Sequence, residues 1–145
     1  MPHLTLEFSP NGPIIDIIIG VSGPRKRALT AQGAQVPPPV QIRALVDTGA
    51  SCTCIDPQIL SGLNLSRTGV TQMHSTTTGA TPVPHNLFDV SLVLLNPKIN
   101  YTMHVVSVAE VIVPVPGTQA LIGRDVLKNC LLIYDGQHKT FTLSF

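Results

Sequence analysis

The sequence predicts an all-β fold in a single domain that spans residues 1–145. Short runs of apolar, mostly β-branched residues alternate with segments rich in glycine, proline and asparagine, which is the pattern of short strands joined by turns. The chain also holds 13 prolines, a share well above the usual ~5%. Proline breaks helices, so this composition favours many short strands over long helices. No repeat or shift in composition divides the chain.

The first half of the chain is predicted to contain three strands and one long loop. Residues 4–8 alternate apolar and polar side chains, and residues 14–21 are dense in isoleucine and valine. The turn residues between these two runs predict an opening hairpin. Residues 23–39 show little periodicity and are predicted to be a long surface loop. The third strand covers Val40 to Val46.

The rest of the chain adds further strands and two short helical segments. Asp56 is placed to cap a helical turn in which Pro57 is the first residue. A second short helix is expected to begin near Gly123, because apolar residues follow it at helical spacing. Residues 78–80 should join the arms of one hairpin, and the last two strands should form another. The predicted strands are 71–78, 84–95, 101–113, 131–134 and 140–145.

Charge and hydropathy narrow the classes of partner. Nine Lys and Arg residues against eight Asp and Glu residues give a net charge of +1, so nothing indicates nucleic-acid binding. Only 12% of residues are charged, which suggests that some apolar surface is covered by a partner. The apolar run 14–21 is too short for a membrane span, and it is unlike a signal peptide because it contains Asp16 and no basic residues precede it. We therefore expect a cytoplasmic protein without membrane contacts.

The three cysteines predict neither a disulfide framework nor a metal site. Cys52 and Cys54 are close together, whereas Cys130 stands alone. An odd number of cysteines fits a reducing compartment. The five histidines are scattered, and no paired Cys-x-x-Cys spacing accompanies them, so we expect no metal and no cofactor. The thiols are predicted to be buried or partly buried.

The strand that ends at Val46 leads directly into an acidic residue. The sequence there is Asp47-Thr48-Gly49-Ala50-Ser51. An ionised carboxylate is costly to remove from water, so an acid at the end of an apolar strand needs an explanation. Asp47 either makes an ordinary Asx turn or takes part in chemistry, and the tripeptide alone leaves both open.

Three features together resemble the retropepsins, the retroviral-type aspartic proteases. They are the apolar strand that ends in Asp47-Thr48-Gly49-Ala50, the hairpin centred on Gly79, and the late segment Leu121-Ile122-Gly123-Arg124-Asp125-Val126-Leu127. The resemblance covers most of the chain from Val40 onward. It implies a retropepsin-like closed β-barrel or sandwich, with one lobe per chain and one short helix in the C-terminal half.

The resemblance also implies roles for individual residues. Asp47 would be the catalytic aspartate, with Thr48 and Gly49 completing the active-site loop. Family members often carry an acid at the position of Ser51, able to pair with the arginine of the late segment, so the arginine in this chain needs another acceptor. The implied substrate-contacting residues are Ala50, Ser51, Thr78, Gly79 and Ala80, and the implied structural support is Gly123, Arg124 and Asp125.

Hydrolysis by carboxylates requires two aspartates that share one proton. The chain has a single Asp-Thr-Gly, and its other Asp-Gly, Asp135-Gly136, lies in a predicted hairpin turn. A second copy of the chain would therefore supply the second Asp47, which predicts a homodimeric endopeptidase acting on peptides or proteins. The alternative is a catalytically silent module with the same fold that serves dimerisation or peptide binding.

Overall fold

The computed structural model describes residues 1–74 and 79–145, which form ten strands and three short helices. The all-β prediction is confirmed. The helices are α1 (Gly23–Ala31), α2 (Pro57–Gly62) and α3 (Arg124–Leu127). The strands are β1 (His3–Glu7), β2 (Ile14–Val21), β3 (Val40–Val46), β4 (Cys54–Ile55), β5 (Gly69–Met73), β6 (Val83–Leu94), β7 (Tyr101–Glu110), β8 (Ala120–Ile122), β9 (Leu131–Asp135) and β10 (Thr140–Ser144).

Six strands close into a barrel around the hydrophobic core. The sheet order is β2-β3-β8-β4-β7-β6-β5, and an additional pairing between β2 and β6 joins the ends of the first six strands. Many of the β-branched and leucine side chains on these strands point inward. Among the fully buried side chains of the barrel are Ile17, Ile19, Val90, Leu92 and Ile122. Closure leaves β5 as the outer arm of a hairpin with β6.

A second, three-stranded sheet has the order β1-β10-β9. The hairpin predicted between β9 and β10 is confirmed. The hairpin predicted between β1 and β2 is wrong, because β1 pairs with β10, whereas β2 pairs with β3 and β6. A tight turn does form at Ser9–Gly12, closed by two backbone hydrogen bonds of 3.0 Å. The nearly continuous burial of β2 draws that strand into the barrel, while β1 keeps one exposed face.

The long loop predicted over residues 23–39 is wrong for its first half, which is the helix α1. The helix has no buried residue, so the apolar periodicity that predicts most helices is missing. Its start is set locally: the hydroxyl of Ser22 accepts a hydrogen bond from the Arg25 amide at 3.4 Å, and Pro24 lies in the first turn. Residues 34–39 have no regular secondary structure, as expected for a loop.

The two helical segments predicted after β3 are confirmed. Asp56 caps α2, and its Oδ1 accepts a hydrogen bond from the Gln58 amide at 2.9 Å. Gly123 is the N-cap residue of α3. No helix in residues 1–74 or 79–145 is long and apolar enough to cross a membrane.

Candidate active site

Asp47 lies where two parallel strands of the barrel end side by side. β3 and β8 pair in parallel from Ala44↔Ala120 to Val46↔Ile122. The Asp47 amide extends this ladder by donating to the carbonyl of Ile122 at 3.0 Å. The pairing therefore brings Asp47, which follows β3, next to Gly123, which follows β8, although they are 76 positions apart in the sequence.

Asp47 makes the Asx turn that the sequence left open. Its Oδ1 accepts a hydrogen bond from the Gly49 amide at 2.9 Å, and its carbonyl accepts one from the Ala50 amide at 3.2 Å. A Cβ at Gly49 would lie 3.1 Å from the same Oδ1, so a glycine keeps this approach open. Within the described residues, Oδ2 of Asp47 has no hydrogen-bond partner. The turn thus fixes one carboxylate oxygen and leaves the other for further interactions.

Arg124 holds the Asp47 loop from the start of α3. Its Nη1 donates to the carbonyl oxygens of Thr48 at 2.9 Å and Gly49 at 3.2 Å. Its backbone amide donates to the carbonyl of Ala50 at 2.9 Å. These three carbonyls are the acceptors that Arg124 uses in place of an acid at position 51. A charged donor makes such bonds stronger than neutral ones, so the helix start and the loop are firmly joined.

Thr53 joins the other side of the loop to α3. The carboxylate of Asp125 accepts from the Thr53 amide at 3.0 Å and from its hydroxyl at 2.8 Å. The same hydroxyl accepts a hydrogen bond from the Gly123 amide at 3.2 Å. Thr53 is fully buried, so each of these bonds satisfies a group that water cannot reach. Sequence reasoning missed this residue, because its partner Asp125 lies 72 positions further along the chain and no local pattern marks the pair.

Gly123 is placed where only a glycine fits. A Cβ built on it would lie 2.5 Å from the carbonyl carbon and 2.6 Å from the carbonyl oxygen of Cys52. These are backbone atoms, which cannot rotate away as a side chain can. The backbone of the Asp47 loop therefore crosses the start of α3 in direct contact, and this glycine carries a packing role.

The residues expected to contact substrate occupy two separate segments. Thr48, Gly49 and Ser51 are exposed on the Asp47 loop, and Ala50 is half-buried there. Gly79 and Ala80 are exposed in the turn that precedes β6, where Gly79 adopts a φ of 62°. Thr78 lies outside the described residues. Among the residues that are described, no hydrogen bond joins Gly79 or Ala80 to the Asp47 loop.

The three cysteines are free thiols in different surroundings. Cys54 is buried on β4, and its Sγ donates to the carbonyl of Cys52 at 3.5 Å, whereas Cys52 and Cys130 are half-buried. A hydrogen bond between the side chains of Cys52 and Cys54 lowers the pKa of Cys52 to about 7, even though burial and the Asp125 charge act in the opposite direction. That hydrogen bond and burial both raise the pKa of Cys54, and burial raises that of Cys130. In residues 1–74 and 79–145, no group of three or more His, Cys, Asp or Glu side chains could hold a metal ion.

These pKa shifts predict that Cys52 is the most reactive thiol. The thiolate is the nucleophile, so alkylation of Cys52 by iodoacetamide should rise with pH and reach half its maximal rate near pH 7. Alkylation of Cys130 should rise only above the usual pH for a cysteine, because its pKa is raised. Mass spectrometry of peptides labelled across a pH series measures both residues in one sample. Equal midpoints for Cys52 and Cys130 would contradict the prediction.

Comparison with known proteins agrees with this architecture. The fold is similar to the crystal structure of a retropepsin-like aspartic protease from Rickettsia conorii, with a TM-score of 0.56. The match covers 99% of this chain and 90% of that chain at 13% sequence identity. The predicted fold class, a retropepsin-like barrel with one lobe per chain, is therefore confirmed. No significant match exists among curated protein sequences.

The family follows from the sequence itself. The model of a family described as aspartyl protease matches residues 24–126, which is more than half of the chain. The matched range includes the Asp47 loop, Thr53 and the first turn of α3, which are the elements that the hydrogen bonds above join together. The chain therefore belongs to the aspartyl protease family and has the retropepsin-like fold.

Proposed function

We propose that the protein is an aspartic endopeptidase in which the Asp47 residues of two copies activate a water molecule for attack on a peptide carbonyl. The main support for this proposal is the geometry of the loop that carries Asp47. One oxygen of Asp47 is fixed by an Asx turn, the other has no partner among the described residues, and Arg124 holds the loop that carries it.

The chemistry requires two carboxyl groups that share one proton. The ionised carboxylate takes a proton from water while the water oxygen bonds to the carbonyl carbon, and the protonated carboxyl donates its proton to the carbonyl oxygen. Collapse of the tetrahedral intermediate breaks the C–N bond as a proton passes to the leaving nitrogen. Thr48 and Gly49 keep the loop in place, and the small residues Ala50 and Ser51 leave room for the substrate backbone.

The second carboxyl group must come from a second copy of the chain. The other Asp-Gly of the sequence is Asp135-Gly136, and Asp135 is occupied in the turn between β9 and β10, where it accepts hydrogen bonds from the amide and Nδ1 of His138. A two-fold axis beside the Asp47 loop would place each Asp47 opposite its symmetry mate. The proposed active form is accordingly a homodimer with one cleft.

We expect the protein to form a dimer in solution under conditions that support activity. Sedimentation equilibrium over a wide concentration range, with and without a pepstatin-type inhibitor, measures the association. The inhibitor should tighten it, because a ligand that binds only the dimeric cleft stabilises the dimer by mass action. A mass that remains monomeric at high concentration with inhibitor present would contradict the homodimer.

Hydrolysis itself is tested on a denatured general protein substrate. The proposal predicts new peptide termini, and it predicts that a pepstatin-type inhibitor suppresses them. A dimer that binds peptides but produces no cleavage would replace the proposal with the catalytically silent module. Cleavage that persists with the inhibitor but stops with a thiol reagent would point to a different class of peptidase.

A further inference from the structure

The segment Cys52-Thr53-Cys54 connects the Asp47 loop to strand β4. Its two cysteines flank Thr53, the buried residue whose amide and hydroxyl bind the Asp125 carboxylate. The Sγ of Cys54 lies 3.5 Å from the carbonyl oxygen of Cys52, so the buried thiol is directed back toward its neighbour. The proposed hydrolysis uses neither thiol, which leaves this pair without a role.

We propose that Cys52 and Cys54 are an oxidation site at which a peroxide converts the two thiols to a disulfide and switches the protease off reversibly. Cys52 is the attacking thiol because it is half-buried and therefore reachable, whereas Cys54 is only 1% exposed. Cys54 is the resolving thiol because its Sγ is directed toward the backbone of Cys52, two residues away, where it lies 3.5 Å from the carbonyl oxygen. The inhibitory effect rests on the proposed function, but the oxidation itself does not.

Peroxide is the only oxidant that the reaction needs. The Cys52 thiolate attacks one peroxide oxygen, so that an S–O bond forms, the O–O bond breaks and hydroxide leaves. The Cys54 sulfur then attacks the sulfenic sulfur of Cys52, so that an S–S bond forms, the S–O bond breaks and the hydroxyl group leaves as water with the Cys54 proton. The released hydroxide takes up the proton that the Cys52 thiol lost on ionising. In total the two thiols lose two electrons, and one peroxide becomes two water molecules. The lowered pKa of Cys52 supports the first step, since the thiolate is the reacting form.

Disulfide formation would change the structure of the Asp47 loop through Thr53. A disulfide between residues that are two apart closes a small ring that contains the Thr53 backbone, so the torsion angles of Thr53 must change. Thr53 holds Asp125 and the Gly123 amide, and the backbone of Cys52 lies directly against Gly123. Movement there displaces the start of α3, from which Arg124 holds Thr48 and Gly49. Small displacements of reacting groups are costly, on the order of 10²-fold in rate.

The experiment exposes the full chain to hydrogen peroxide at neutral pH and follows intact mass and hydrolysis. We expect a mass loss of about 2 Da, the signature of a disulfide, together with a loss of hydrolysis that dithiothreitol reverses. Cys54→Ser should leave Cys52 as a sulfenic acid that dimedone traps. The double variant Cys52→Ser/Cys54→Ser should hydrolyse substrate at the native rate and keep that rate in peroxide. Cys130→Ser is the matched control and should behave as the native protein does.

The outcomes separate the two proposals. If the unoxidised protein cleaves nothing, the proposed function fails, and the mass and dimedone results still decide whether the pair oxidises. If the mass does not fall by about 2 Da while peroxide adds oxygen irreversibly to Cys52, the pair is not a reversible site. If the double variant loses hydrolysis in peroxide as fast as the native protein, the switch is overturned.

Discussion

Replacing Asp47 by asparagine should abolish peptide hydrolysis and leave the fold in place. The amide oxygen can still accept the hydrogen bond from the Gly49 amide, so the Asx turn survives. The amide can neither take a proton from water nor pass one on, and general acid–base catalysis contributes about 10²–10⁴-fold to a rate. Turnover of a fluorogenic peptide library should fall by at least that factor, while circular dichroism and Tm stay close to those of the native protein.

Asp135→Asn is the matched control for this experiment. The control makes the same chemical change at Asp135-Gly136, in an exposed turn where the carboxylate accepts hydrogen bonds from His138 of its own hairpin. The control should hydrolyse substrate at the native rate. Native turnover by Asp47→Asn would refute the assignment of Asp47. Equal absence of turnover in the native protein and both variants would instead favour the catalytically silent module.

The residues of the candidate site that are close in sequence were the most predictable. Asp47-Thr48-Gly49 and Gly123-Arg124-Asp125 are two short segments, and each was identified through its resemblance to a retropepsin motif. The acceptors of Arg124 were not predictable, because they are backbone carbonyls that any residue carries. Thr53 was missed for a related reason: its contacts with Asp125 span 72 positions of sequence, and neither partner signals the other.

The fold shows the same division between local and distant features. The cap of α2 by Asp56 and the hairpin of β9 with β10 depend on neighbouring residues, and both were predicted correctly. The partner of β1 is β10, at the opposite end of the chain, and no local pattern distinguishes that pairing from a hairpin with β2. Helix α1 was missed because its stability comes from its cap and first turn rather than from a buried face.

Replacing Gly123 by alanine should lower both stability and hydrolysis. The added methyl group would lie 2.5 Å from the carbonyl carbon of Cys52, closer than real Cβ contacts allow, so the backbone must move. Overpacking of this kind typically costs about 1–3 kcal/mol, which corresponds to a Tm lowered by roughly 3–10 °C for a domain of this size. Because the Gly123 amide binds Thr53 and α3 begins at the next residue, the same movement loosens the hold on the Asp47 loop. Differential scanning calorimetry and turnover of the same peptide library measure the two effects.

Gly62→Ala separates this packing effect from the general consequence of adding a methyl group. Gly62 lies in α2, and a Cβ built on it meets no atom within 4 Å. Alanine is also the better helix former, so this variant should match or slightly exceed the native Tm and keep native turnover. If Gly123→Ala has the same Tm as Gly62→Ala and cleaves at the native rate, the loop can shift without loss of stability or activity. In that case the contact between Cys52 and the start of α3 would not be what holds Asp47 in position.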